Sequence, residues 1–206
     1  MVKRLWWGAA VAGTMLAAPV MAQTARPGPI PAGFALKRGG DLVHTKTGTR
    51  FPAAADGFQR IASVALDATG KYPLVIYERG SGAGKAIARI ALVQIDDMSA
   101  LEHFAAMAPT VGNEFRDLRL TQVKPLESGP LALPGVAPRN AWQGHFSARR
   151  GNQPYMLSLS TLDMGHWAGR VTAAYPAAGA SDVQKRLYAL VAKIRATAPS
   201  HVHGGK

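Results

Sequence analysis

The sequence predicts an α+β domain: a largely antiparallel sheet of about seven or eight strands flanked by two main helices. Three observations lead there. Apolar residues recur mostly at period two between residues 41 and 176, in runs that follow one another in hairpin order. Two segments, 96–109 and 181–195, switch to the helical period. There is neither an internal repeat nor a second linker, so the elements belong to one domain.

The chain opens with Lys3 and Arg4, an apolar run "LWWGAAVAGTMLAAPV", and small residues at Val20 and Ala22. That order is a secretory signal over residues 1–22, cut after Ala22, and the expected location is periplasmic or secreted. The rival is an uncleaved anchor. A spanning helix needs ~20 apolar residues, and this run is marginal in length and rich in Gly and Ala. No Cys follows to carry a lipid, and no later stretch is apolar enough to cross a bilayer, so no transmembrane anchor is expected after cleavage. Residues 23–40 begin with "QTARPGPIPAG", three Pro and two Gly, and read as a linker. The single domain is expected over residues 41–197, with 198–206 a flexible tail.

Within the domain, "LVHTKTGTRFP" reads as two short strands around a turn at Lys46–Gly48. "GFQRIASVALD" sets Phe58, Arg60, Ala62, Val64 and Leu66 against Gln59, Ile61, Ser63 and Ala65, a strand with one apolar face. "DATG" turns the chain into "KYPLVIYER", where Pro73, lacking an N–H, belongs at a strand start or on an edge. "AIARIALVQI" is apolar on nearly both sides and should be central. Ser99 and Glu102 form a capping box for a helix that presents Leu101, Phe104, Ala105 and Ala108 and ends at Pro109. Residues 110–117 fit no period. "LRLTQVKPLE", "AWQGHFSARR", "YMLSLSTLD" and "HWAGRVTAAYP" give four more strands, with a turn at "RGNQP" between the middle two. Ser181 as N-cap and Asp182 open the last helix, whose stripe is Val183, Leu187, Leu190, Val191 and Ile194.

The stretch "RGSGAGKA" at 79–86 imitates a phosphate loop. Such a loop needs Gly where Arg79 stands and a hydroxyl where Ala86 stands, and it must run into a helix. The residues after it are strand-like. A hairpin turn in which Gly80, Gly82 and Gly84 supply positive φ accounts for the segment instead.

Lys and Arg number 24 against 12 Asp and Glu, a net charge of +12, and only Lys3 and Arg4 would leave with the signal. A basic surface outside the cytoplasm attracts anionic lipid or envelope polysaccharide. The adjacent basic pairs Lys3-Arg4, Lys37-Arg38, Arg149-Arg150 and Lys185-Arg186 make no tract, so no specific nucleic acid is expected. Absence of Cys removes thiol catalysis and thiolate metal sites. His44, His103, His145 and His166 lie on separate elements, and His201-Val202-His203 sits on the tail. Neither a metal nor a cofactor is expected. No Ser occupies a nucleophile elbow, and Glu78, Asp96, Asp97, Glu114 and Asp163 have no distinctive spacing.

The aromatic residues carry more. Trp142, Gly144, Phe146 and Ala148 share one strand face and read as core, while Gln143, His145 and Ser147 take the other. His166 and Trp167, after Gly165, are the ligand-facing candidate.

The run "LVHTKTGTRFPAAADGFQRIASVALDATGKYPLVIYERG" followed by "ARIALVQI" resembles a group of secreted bacterial proteins in which a Phe-Pro, a Gly-Phe-x-Arg and a Tyr-rich hairpin succeed one another. The closing strand "GRVTAAYP" and the helix ending "LYALVAKIR" are similar to the end of the PsbP-like fold, named for an extrinsic subunit of photosystem II. The resemblance implies an antiparallel sheet flanked by helices, a PsbP-like sandwich, in mostly non-enzymatic accessory proteins, and supplies no catalytic residues. The expected function is therefore an exported, non-enzymatic accessory or binding protein that engages an anionic envelope component. Two alternatives stand beside it: a periplasmic hydrolase whose carboxylates or His145 and His166 converge in space, and a carrier of a small apolar ligand lined by Trp142 and Trp167.

Overall fold

The computed structural model describes residues 30–96, 98–195 and 197; the proposed signal and the tail 198–206 lie outside them. The fold is α+β, with two antiparallel sheets. β1 (Phe34–Leu36), β2 (Leu42–His44) and β3 (Arg50–Phe51) form a small one in that order. The main sheet has eight strands: β4 (Ala54–Ala55), β5 (Phe58–Ala65), β6 (Pro73–Arg79), β7 (Ala86–Gln94), β8 (Thr121–Pro130), β9 (Ala141–Arg150), β10 (Gln153–Asp163) and β11 (Trp167–Pro176). Their spatial order is β4-β5-β6-β7-β11-β10-β9-β8. Two meanders thus meet where β7 pairs with β11, from Trp167↔Gln94 to Ala174↔Ile87. Between the meanders, α1 (Ala100–Met107) and a 3-10 segment (Ala108–Leu118) carry the chain from the sheet centre to β8 at its far end. α2 (Ala180–Arg195) follows β11.

Strand alternation feeds a core on each face. Val75, Tyr77, Ala88, Ile90, Val171, Ala173 and Tyr175 pack with the α2 stripe Val183, Leu187, Leu190, Val191 and Ile194, and with Phe34, Leu42 and Phe51 of the small sheet. Ile87, Phe146, Ala148, Tyr155, Leu157, Leu159 and Ala174 face the other way, against Phe104, Val111 and Phe115 of α1 and the 3-10 segment. β7 contributes to both, which is why its run is apolar almost throughout. Among the described residues no helix is long and apolar enough to cross a membrane.

The structure departs from the sequence reading in several places. The ordered body starts before residue 41, because β1 pairs Phe34 with His44 and Leu36 with Leu42. β5 does not keep one apolar face: its register shifts between Arg60 and Ala62, leaving Ile61 and Val64 exposed. In α1 the buried positions are Ala100, His103 and Phe104, while Leu101 is 48% exposed. The Ser99–Glu102 capping box is present in both directions. α2 begins at Ala180, so Ser181 lies inside the first turn rather than at the cap. In the β6–β7 hairpin Gly80 and Gly82 adopt positive φ but Gly84 does not, and β7 rather than a helix follows. Lys85 pairs with Glu78.

Candidate functional site

The ligand-facing candidate is divided by the fold. His166 projects into solvent, its side chain 87% exposed, and its Nδ1 lies 2.7 Å from Asp96 Oδ1. An ion pair this exposed contributes little. Trp167 begins β11 and turns inward, edge-on to the buried His44 ring at 5.0 Å. His44 Nε2 meets the Gly70 carbonyl at 2.9 Å and Nδ1 meets Thr47 Oγ1 at 2.9 Å, so Trp167 belongs to a structural lock. Trp142 packs in the α1 core and Trp167 in the α2 core, on opposite faces of the sheet. They cannot line one cavity.

His145 turns toward α2, as the strand parity requires. The Gln184 amide nitrogen lies 2.7 Å from its Nε2, and the Tyr188 hydroxyl donates to the Gln143 side-chain amide oxygen, Oε1, beside it. Burial holds the His145 pKa down, opposed by Glu127. These polar groups satisfy one another beneath the helix. His145 and His166 have different partners and share no contact.

A hollow lies on the other face, where the crossover descends to β8. Its volume is about 700 Å³, and Ala105, Leu120, Val123, Pro125 and Phe146 line it together with Arg116 and Arg119. A second hollow of about 190 Å³ adjoins it, sharing Ala108, Pro125 and Phe146 and reaching Phe104, Leu126, Glu127 and Ser128. β8 is exposed at every residue but Gly129 and, among the described residues, pairs only with β9. The 3-10 segment lies against β8 at Gly112, where a Cβ would lie 3.1 Å from Val123 Cγ2.

Charge is segregated across the 3-10 segment. Its acids turn toward the sheet: Asp117 meets Arg89 at 3.2 Å and Glu114 meets Arg170 at 3.3 Å. Arg89 also donates to the Glu114 carbonyl and stacks over Phe115 at 5.0 Å. Arg116 and Arg119 point to the hollow and have no carboxylate partner among the described residues. Arg119 ends the segment at φ 51, which turns its side chain out of the preceding helical path. The result is an apolar floor beneath two uncompensated guanidiniums.

The sequence reading missed these residues because 110–117 matched neither period. A signal was present in Arg116 and Arg119, three apart around Leu118 and followed by Leu120. Placing them over β8 takes the 3-10 pitch and the course of the crossover.

Comparisons with known proteins add little. No family model matches the chain, and no curated protein matches it. Among solved structures, a Mog1 protein carrying an E65A substitution matches with 11% identity over 66% of this chain and 93% of that one, at a TM-score of 0.37. A likeness at that level bears on neither activity nor ligand.

Proposed function

We propose that the protein is an exported accessory or binding protein, in the periplasm or outside the cell, that engages an anionic lipid of the envelope through the hollow beside β8. The PsbP-like relationship and the leader at 1–22 belong to the same proposal. The observation that carries it is the pair Arg116 and Arg119, unmatched by any carboxylate among the described residues, beside an apolar lining of Leu120, Val123, Pro125 and Phe146. Unmatched guanidiniums attract phosphate or carboxylate. The apolar floor favours lipid over polysaccharide, whose hydroxyls need hydrogen-bond partners that a floor of this composition does not offer. The net charge of +12, which is +10 once Lys3 and Arg4 leave with the leader, adds long-range attraction.

The test is cosedimentation of the purified protein with phosphatidylcholine vesicles, with and without phosphatidic acid, at low and high salt. Binding should require the anionic lipid and fall steeply as salt rises, since each basic side chain near such a surface is worth about 1 kcal/mol. Arg116→Gln with Arg119→Gln should weaken it roughly thirtyfold, while Lys37→Gln with Arg38→Gln on the β1–β2 turn should change it far less. Absent or salt-independent binding would overturn the proposal.

A further inference from the structure

Resting on that proposal, we infer that the two joined hollows hold one acyl chain of a phosphate-bearing, single-chain lipid. The phosphate sits on Arg116 and Arg119, and the chain runs over Phe146 toward Leu126.

Four features of the site lead to this ligand. The hollows adjoin, sharing Ala108, Pro125 and Phe146 as lining, and so lie end to end as a trough. The volume of about 700 Å³ falls within the range of small-molecule sites. Polar groups are asymmetric along the trough, with Asn113, Arg116 and Arg119 at one end and Glu127, Ser128 and the imidazole of His145 at the other. A carboxylate at the far end repels a second anion there and fixes the direction in which an anionic amphiphile lies. Two guanidiniums also match the charge of a phosphate monoester, about −1.5 to −2, better than a single carboxylate.

An extended acidic peptide is the competing occupant, and backbone chemistry disfavours it. Each peptide unit brings an N–H and a C=O that need partners when buried. Among the lining side chains only Asn113, Arg116 and Arg119 offer donors over the larger hollow. The alternative source of partners is the free edge of β8. That edge is interrupted by Pro125 and Pro130, by Gln122 at φ 53, and by two shifts of register against β9. Such features block the addition of a further strand. An acyl chain has no polar units to satisfy.

Titration calorimetry with dodecyl phosphate, below its micellar concentration, tests the inference alongside the vesicle assay. Dodecyl phosphate should bind one per protein, with inorganic phosphate roughly a hundredfold weaker or more because it buries no CH₂ groups. Dodecanoate should bind more weakly than dodecyl phosphate, and dodecyl maltoside should not compete. Ala105→Trp, on the exposed side of α1 that lines the trough, should abolish dodecyl phosphate binding. Val123→Trp on the opposite wall is the second variant should the first fail to fold. Anionic vesicles that bind normally while dodecyl phosphate does not, or while both Trp variants bind it unchanged, would overturn the acyl-chain site and leave the charge-based proposal standing. An acidic peptide that displaces dodecyl phosphate more strongly than inorganic phosphate does would also overturn it. Loss of vesicle binding altogether would remove both.

Discussion

At Gly144 a Cβ would come within 2.8 Å of Phe104 Cε2, so the absence of a side chain there is what lets the α1 ring pack against β9. Gly144→Ala should destabilise the protein by about 1–3 kcal/mol in urea unfolding, because Phe104 must leave its rotamer or α1 must lift. Gly129, on neighbouring β8, has nothing within 4 Å of its Cβ position, and Gly129→Ala should stay within about 0.5 kcal/mol of the parent. Equal effects at the two sites would refute this packing of α1. The strand alternation that assigned Trp142 and Phe146 to the core is local and was readable from β9 alone. The inward turn of Trp167 was not, since His44 lies more than a hundred residues earlier in the chain and only the small sheet brings the two rings together.

Among the elements, β5 shows how one residue resets a strand. The shift between Arg60 and Ala62 leaves Phe58 buried and Val64 42% exposed, although the sequence places both at one parity. The shift frees Arg60 to reach across to the small sheet, where Nη1 donates to the Phe51 carbonyl at 2.7 Å and Nη2 to that of Gly40. Arg60→Ala should therefore cost about 1.5–3 kcal/mol and speed hydrogen exchange selectively in residues 34–51. Arg60→Lys, with one ammonium in place of the forked donor, should recover only part of that. Uniform acceleration across the main sheet would show that the two sheets are not joined in this way. α1 was legible at its start, where the capping box depends on adjacent residues. Its buried face was not, because the chain beyond it bends into a 3-10 path and rotates His103, not Leu101, toward the sheet.

For the whole molecule, three buried imidazoles set the response to acid. His44, His103 and His145 all have pKa values held below 6.5, chiefly by burial. Arg170 adds to the effect at His103, and Glu127 opposes it at His145. At His44 the Gly70 carbonyl opposes it most, Lys46 reinforces it, and Asp67 opposes it. Just below pH 6.5 the unfolded chain consequently binds more protons than the folded one, so stability rises with pH there. The unfolding free energy should be level above about pH 7 and fall as pH drops from about 6.5 toward the depressed folded values, by at most about 1.4 kcal/mol per pH unit for each imidazole. Asp67, held at about 2 by the Thr69 hydroxyl and nearby backbone N–H groups, titrates well below that window. Urea unfolding of the parent and of His145→Gln across this range checks it: the variant should show the shallower slope, and a flat parent curve would exclude neutral buried histidines.

Readable from the chain alone were the α+β class, the hairpin order, the central position of β7, the capping box and the buried stripe of α2. Each of these rests on contacts between residues near in the chain, or on a period that any strand or helix must obey. Folding in three dimensions was needed to reveal the meeting of β7 with β11, the separation of Trp142 from Trp167, and the hollow beside Arg116 and Arg119. Those features arise where the crossover lays one stretch of chain over strands distant in sequence, and no local period records which side chains such a crossing leaves without partners.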